Sequence, residues 1–595
     1  MNESPLGPGG PPPGRPPMAR RVGAPPPGRR LGPGPGPGPG TGPGRAPGRW
    51  LVVASVAVVA VVLVGGVSLS GVLSSHASPT ATPGKAVAAS ATASAQSPSA
   101  AASITPSPPA RSETPATTQA GVAIVPVTDF RSPAIGTSPA EVKAVLAGTS
   151  QQYDAIELVS ADAGAILAAL KLSPPSVASR LVEAATAAAL AKDMAAYPDR
   201  LGLLRADEVG PSVRALAWAG KALFGEARVK SLAAWSLRAS LTVTASTTGA
   251  PPKPAYDPAT AWTLFAGGDI LLDRGVALTV KVEGKGVDYP FAGGTAKITS
   301  HYCCSSFGWP LVKTATTGGA GAVRGLISGA DLAFANFENP APNKFVYHTQ
   351  GTVFSADPAL IAGLAHAGFD LVGLANNHMR DAGSQGVLDT VRNLDKWDIA
   401  HAGAGATLAA ARRPAILQEG GVKVAFLAYD TIATAAVAAT ATRPGAAILT
   451  AATVKTDIAA ARAAGAQVVI VFPHWGIEYR AIPPAATVTL AHAVIDAGAD
   501  MIIGNHPHWA GAMEIYKGKP IWYALGNLVF DQTWSEQTEE GITLEMTFQG
   551  SRLVQVRMRP HVILDRAQPN FLDPGGSGSV VMDRVFAASK GLLPW

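Results

Sequence analysis

Seven side chains able to hold a metal ion or move a proton sit at the ends of five short apolar runs. WTLFAGGD ends at Asp269, DLAFANFE at Glu338, FDLVGLANNH at Asn377 and His378, AQVVIVFPHW carries His474, and ADMIIGNHPH carries His506 and His508. Four of the 11 histidines belong to this set. Imidazole, carboxylate and amide together suit a borderline divalent ion such as Mn, Fe or Zn better than Mg, which prefers oxygen. One or two such ions clamp a phosphoryl or acyl oxygen and lower the pKa of bound water, which is hydrolytic chemistry. A lone histidine at a strand end is more often hydrogen-bonded than ligating. That plainer reading is kept for His301, His348, His366, His401, His492 and His561. Five coordinated strand ends, with His506-Pro507-His508 directing two imidazoles from one tight loop, argue for a site. The chain has no G-x-S-x-G elbow and no P-loop, which speaks against serine hydrolysis and ATP-driven synthesis.

Residues more than two hundred positions apart meet only if the runs are strands of one α/β domain. The stretches GSQGVLDTVRNLDKW and PAATVTLAHAVIDAG between them read as crossover helices. Right-handed crossovers then bring the strands' carboxyl ends to a common edge, where such sheets bind ligands. This domain is placed at 261–565, with 566–595 as a C-terminal extension. Before it, residues 121–250 alternate strand-like runs (VAIVPV, AIELV, LGLLRA) with Ala-rich stretches such as VASRLVEAATAAALAKDMAAY, read as helix. This smaller α/β module carries no chemical motif. VPVTDF gives it a resemblance to a lobe of periplasmic substrate-binding proteins, and its role stays open. The Pro/Thr-rich TASTTGAPPKPAYDPAT, 244–260, marks the boundary.

The formal charge of +6 is localised. Residues 1–49 hold seven arginines and one acid among many Pro and Gly, the composition of a disordered cytoplasmic tail. The remaining chain carries 40 basic and 40 acidic residues, so no basic folded face is left for nucleic acid. Residues 50–73, without a charged side chain until Lys85, are long enough to span a bilayer as one helix. Arginines before the span and none soon after it place the N-terminus in the cytoplasm and the domains outside, on a single-pass anchor in the cell membrane. A signal peptide cleaved after Ser75-His76-Ala77 competes with this, but the apolar stretch exceeds the usual h-region of about 7–15 residues. Residues 74–120 form an Ala/Ser/Thr/Pro linker. The two cysteines, Cys303 and Cys304, are adjacent and allow no disulfide framework. Two partly buried thiols in a loop is the favoured reading, over a vicinal disulfide or a metal site with His301.

GDILLDRG, ANFENP, GFDLVGLANNHMRDAG, HAGAG, HWGIEY, DAGADMIIGNHPH and YALGNLVFD, in this order over about 262–535, resemble the CapA family of capsule and poly-γ-glutamate biosynthesis proteins. That family is related to the calcineurin-like metallophosphoesterases. The resemblance implies an α/β/β/α metallophosphoesterase-like sandwich acting outside the cell in capsule polymer synthesis or export, with capsule-synthase membrane subunits as partners and an anionic polymer or phosphoester as substrate. It also implies one or two divalent ions. Asp269 matches a ligand of the first ion, Glu338 the bridging carboxylate, Asn377, His474 and His506 ligands of the second, and His508 a further ligand of the first. His378 matches the histidine that protonates the leaving oxygen, and Arg274 and Glu478 lie in matched motifs where they orient ligands or substrate. One departure stands out. Phosphoesterases carry Asp-x-His at the first strand, whereas Asp269-Ile270-Leu271 puts leucine in the histidine's place, with Asp273 as a possible substitute. Two functions follow: a metal-dependent hydrolase, or a non-catalytic polymer-binding scaffold of a capsule synthase.

Overall fold

The computed structural model describes residues 117–244 and 256–592. The tail at 1–49, the span at 50–73 and nearly all of the linker at 74–120 lie outside the described residues, as does most of the break at 244–260. Among the described residues, no helix is long and apolar enough to cross a membrane.

Two sheets face each other in the larger domain. The first orders its strands 311–318, 295–302, 568–572, 552–564, 540–549, 261–270, 332–337, 371–373 and 400–402, with Asn527–Val529 also pairing to Ala261–Ile270. From Ala261–Ile270 through Leu332–Phe337 and Leu371–Gly373 to Ala400–Ala402 the strands are parallel. The second sheet runs 415–419, 422–430, 468–474, 501–503, 519–522, 513–516, and its central strands are parallel. All five chemistry-bearing runs are thus strands or the loops that follow them, but they divide between two sheets rather than sharing one. GSQGVLDTVRNLD and AATVTLAHAVID are helices, Gly383–Asp395 and Ala485–Asp496.

The alternation of a strand explains the layers. Along Ala261–Ile270, Trp262, Leu264 and Ala266 face the space between the sheets, where they join Phe334, Phe426 and Phe472. Phe265 faces outward beneath helical Ile361, Leu364 and Val387, and Ile270 joins it because the strand's register shifts between Ala266 and Asp269. The second sheet is covered by Val454, Ile458, Val494 and Ile495 of its own helices. Trp262 stacks on Phe548 at 4.2 Å, and Phe334 meets Phe472 edge-on at 4.8 Å. Burying each such side chain contributes about 1.5–3 kcal/mol, which fixes the register of the strands that carry polar ends.

The smaller module is a mixed sheet of strands 181–184, 155–159, 200–205, 117–129 and 213–215, with 238–244 pairing to 117–129. Its first strand begins at Thr117, inside the stretch expected to be linker. The expected helix over 177–197 divides. Leu181–Ala184 is a strand parallel to Ala155–Val159, and helix starts only at Ala187, where the Thr186 hydroxyl accepts from Ala189 N. An Ala-rich composition hid a short strand whose β-branched Val182 suits the sheet. The module packs on the larger domain: Gly225 N donates to Thr547 Oγ1 (2.8 Å), Arg552 Nη1 to Val209 O (2.7 Å), and Val554 enters the module's core.

Two further expectations change. Residues 568–572 form an interior strand of the first sheet and Ser579–Ala588 is a helix whose Val581, Met582 and Val585 join the inter-sheet core, so the described part of the expected extension 566–595, through 592, is built into the domain rather than appended. Cys303 and Cys304 are exposed and joined to each other as a vicinal disulfide, in place of partly buried thiols. His301 turns to Glu536 (3.0 Å) instead.

Candidate metal centre

Three parallel strands bring their polar ends into one row. The register sets Asn336 and Asn527 on either side of Asp269. Such close approach needs glycine: a Cβ on Gly268 would lie 1.9 Å from Gly526 O. Asn336 Nδ2 donates to Asp269 Oδ1 (2.7 Å). Glu338 follows the second strand and its backbone N–H bonds to Ile270 O at 2.9 Å. From the other sheet, His474 ends the strand Val468–His474, and His506 and His508 follow Met501–Ile503. His506 and His508 both hold positive φ, 99° and 58°, around Pro507.

The result is a buried cluster of atoms that carry lone pairs. Around His474 Nε2 stand Asn377 Oδ1 at 2.8 Å, His506 Nδ1 at 3.2 Å and Glu338 Oε1 at 3.4 Å. His508 lies 3.5 Å from Asp269 Oδ2 through Nδ1 and 3.7 Å from Glu338 Oε1 through Nε2. Two donor groups result, Glu338–His474–His506 and Asp269–Glu338–His508, each with its atoms within 4.8 Å of one another. Both Glu338 oxygens are buried without a hydrogen-bond partner. Burial, then the neighbouring Asp269 charge, push the Glu338 carboxyl well above the usual range. Burial, and after it the other imidazoles, hold His474 and His506 well below the usual histidine range. Neutral imidazoles and a strained carboxylate facing one centre are what a divalent cation resolves, so the residues fit a transition ion.

The remaining expected residues stand around this cluster. His378 is outside both donor groups. Its Nδ1 donates to Asp381 Oδ2 (2.8 Å), which fixes the tautomer and leaves Nε2 for chemistry, and its ring stacks on Phe354 at 4.1 Å. Arg274 is bound by Asp531, donates to Gly351 O at 2.8 Å and lies 4.8 Å over Phe354. It acts on Glu338 only through its field, which opposes that of exposed Glu478. Asp273 does not replace the missing histidine. It caps the turn at Arg274 and accepts from Ser355 N. Leu271 is fully buried with Phe354, Phe530 and Ile563. Sequence reasoning passed over Asn336 and Asn527. Asn336 Nδ2 lies 3.3 Å from His474 Nδ1 and Asn527 Oδ1 2.9 Å from His508 Nδ1, so they orient two imidazoles. Both lie in motifs quoted above, ANFENP and YALGNLVFD, which was the available signal. An aromatic wall of Trp309, Tyr479, Trp509 and Trp534 continues from His508, to which Tyr479 lies at 6.1 Å.

Residues 263–532 match the bacterial capsule synthesis protein family. Among curated proteins, the capsule biosynthesis protein CapA of Bacillus anthracis is 32% identical over 223 residues, covering 36% of this chain and 54% of that one. The PGA biosynthesis protein CapA of Bacillus subtilis (strain 168) is 32% identical over 224 residues, 37% of this chain and 58% of that one. This chain spans little more than half the length of these relatives. Among solved structures, the calcineurin-like phosphoesterase YfkN of Bacillus subtilis aligns with 55% of this chain and 96% of its own at 13% identity, with a TM-score of 0.29.

Proposed function

We propose, from the premise that residues 263–532 belong to the capsule synthesis protein family, that this chain serves the synthesis or export of an anionic capsule polymer of the poly-γ-glutamate type, with a metal-dependent hydrolase site. The observation that carries the reading is the convergence of Asp269, Glu338, Asn377, His474, His506 and His508, with both Glu338 oxygens left without a hydrogen-bond partner. Glu338, Asn377, His474 and His506 would hold one divalent ion, and Asp269, Glu338 and His508 a second. A bound ion of this kind supplies Lewis acidity and a water of lowered pKa. The protein's own residues do the rest. Asn336 and Asn527 hold the imidazoles in orientation, and His378, steadied by Asp381 and Phe354, carries a proton at Nε2 for the departing oxygen. The aromatic wall beside His508 bounds the approach. The substrate class is a phosphoester or a γ-glutamyl polymer. The chain works from a single-pass anchor at 50–73, its domains outside the cell, beside membrane subunits of a capsule synthase.

A second reading, a polymer-binding scaffold without turnover, is favoured by one observation: Leu271 fills its place with apolar packing and supplies no donor. The test is the full chain assayed for bound transition metal and for cleavage of a phosphodiester and of poly-γ-glutamate, beside His378→Ala and His474→Ala. The hydrolase reading expects metal and turnover in the native chain, metal without turnover in His378→Ala, and neither in His474→Ala. A metal-loaded native chain inert on both substrates, with capsule output unchanged in His378→Ala cells, selects the scaffold.

A further inference from the structure

A second charged region shares no residue with the metal centre. Between the module and the first sheet lies a cleft of about 1080 Å³, bounded by Arg214 and Glu226 on one side and by Lys297, Arg557, Arg559 and Asp573 on the other. This is at the upper edge of the roughly 300–1,000 Å³ of ordinary small-molecule sites. Arg214 is only 7% exposed, yet among the described residues its guanidinium makes no hydrogen bond and no ion pair; the half-buried Arg557 guanidinium makes none either, though the Glu545 charge acts on it. Of the acids nearby, Glu545 and Asp573 are engaged, while the Glu226 carboxylate lines the same cleft and forms no ion pair among the described residues. Glu545 accepts from Arg559 Nε and Nη2 (3.0 and 2.6 Å) and from Glu226 N (2.8 Å), and Asp573 caps the turn at Gly575. Asp129 is felt by Arg214 only at longer range, and burial with the Arg557 and Arg559 charges pushes the Arg214 guanidinium down to about 10. Each guanidinium offers five N–H donors in a fork that matches a carboxylate.

We infer that this cleft binds a run of carboxylates on an extended anionic polymer, with Arg214 and Arg557 as the recognising forks and Lys297 at the rim. The polymer's identity as poly-γ-glutamate rests on the function proposed above. The cleft's position away from the metal donors makes it a holding site that keeps a long chain while one segment is worked on.

The test is fluorescence anisotropy of labelled oligo-γ-glutamate with the full chain, titrated at low and moderate salt, with metal content and thermal midpoint measured on every sample. Arg557→Gln combined with exposed Lys297→Glu is expected to weaken binding at least tenfold and to flatten its salt dependence, with metal content and midpoint at native values. His474→Ala is expected to lose metal and keep the oligomer. Native-like binding by the double variant overturns the cleft while leaving the polymer reading intact. Tighter binding of polyphosphate than of oligo-γ-glutamate overturns the carboxylate assignment, and a native chain that binds no oligo-γ-glutamate overturns both the cleft and the polymer reading.

Discussion

The metal centre turns two buried carboxylates and three buried imidazoles toward one another; the cleft against the module gathers the guanidiniums of Arg214 and Arg557, which make no ion pair among the described residues. Both are costly arrangements in an otherwise apolar interior. They differ in sign, and the chemistry of each lining names the ligand proposed for it: a divalent cation for the one, a carboxylate chain for the other. They differ also in construction. The centre is assembled at the carboxyl ends of parallel strands, where register fixes each donor, whereas the cleft depends on a module resting against the interior strands 540–549 and 552–564 of the first sheet. Geometry is therefore exacting in the first and adaptable in the second, as suits an ion and a polymer.

The sharpest way to break this contrast is to remove a donor. His474→Ala is expected to lower metal affinity more than about 1,000-fold, beyond the roughly 10–100-fold that loss of an outer partner costs; metal titration followed by mass spectrometry reads it, and retained stoichiometric metal would dissolve the centre. Acid is the next lever, because imidazoles titrate where guanidiniums do not. Burial holds His561 at about 4 against an ordinary 6.5, so the unfolded chain takes up its proton first. This contribution is fully present above about pH 6.5 and is lost as pH falls toward 4, amounting to about 3 kcal/mol, with His474 and His506 acting in the same direction in metal-free protein. Urea unfolding midpoints across this range should fall accordingly, and a flat profile counts against neutral buried imidazoles. Chelation comes third: at free ion about 100-fold above Kd, the bound state should be more stable by about 2.7 kcal/mol, seen as a drop in thermal midpoint when chelator is added. The smallest effect has the opposite sign. Arg214→Met should stabilise the ligand-free chain by about 1 kcal/mol in chemical denaturation, since an unpaired buried charge is exchanged for an apolar side chain; destabilisation would mean that Arg214 is satisfied within the fold.

The centre was far more legible in the sequence than the cleft. Apolar runs ending on Asp269, Glu338 and His474 announce themselves, because a strand that stops on a buried polar residue has little other reason to do so. Asn336 and Asn527 lay inside two of the motifs, but their role was not legible. Their contact with Asp269 is a matter of parallel register between strands far apart in sequence, and no spacing reveals register. Leu271 was visible as a departure, but its packing with Phe354 and Phe530 arises from loops outside any periodic run. In the module, Ala-rich composition concealed the strand Leu181–Ala184 inside an apparent helix. Arg214 and Arg557 belong to no motif at all, and a net charge of zero over residues 50–595 pointed away from any basic surface. Their significance appears only when two regions 340 residues apart, joined by Gln555 Nε2 and Ala215 O, are laid together.

The loop His506-Pro507-His508 gives one imidazole to each of the two donor groups. Proline fixes one backbone torsion between them, and the residues on either side hold left-handed conformations. The spacing of the two groups is thus a dimension of the backbone, set before any ion arrives. With the two ions proposed above, these three residues would act as a gauge, admitting pairs that suit one separation and resisting those that would need the loop to widen.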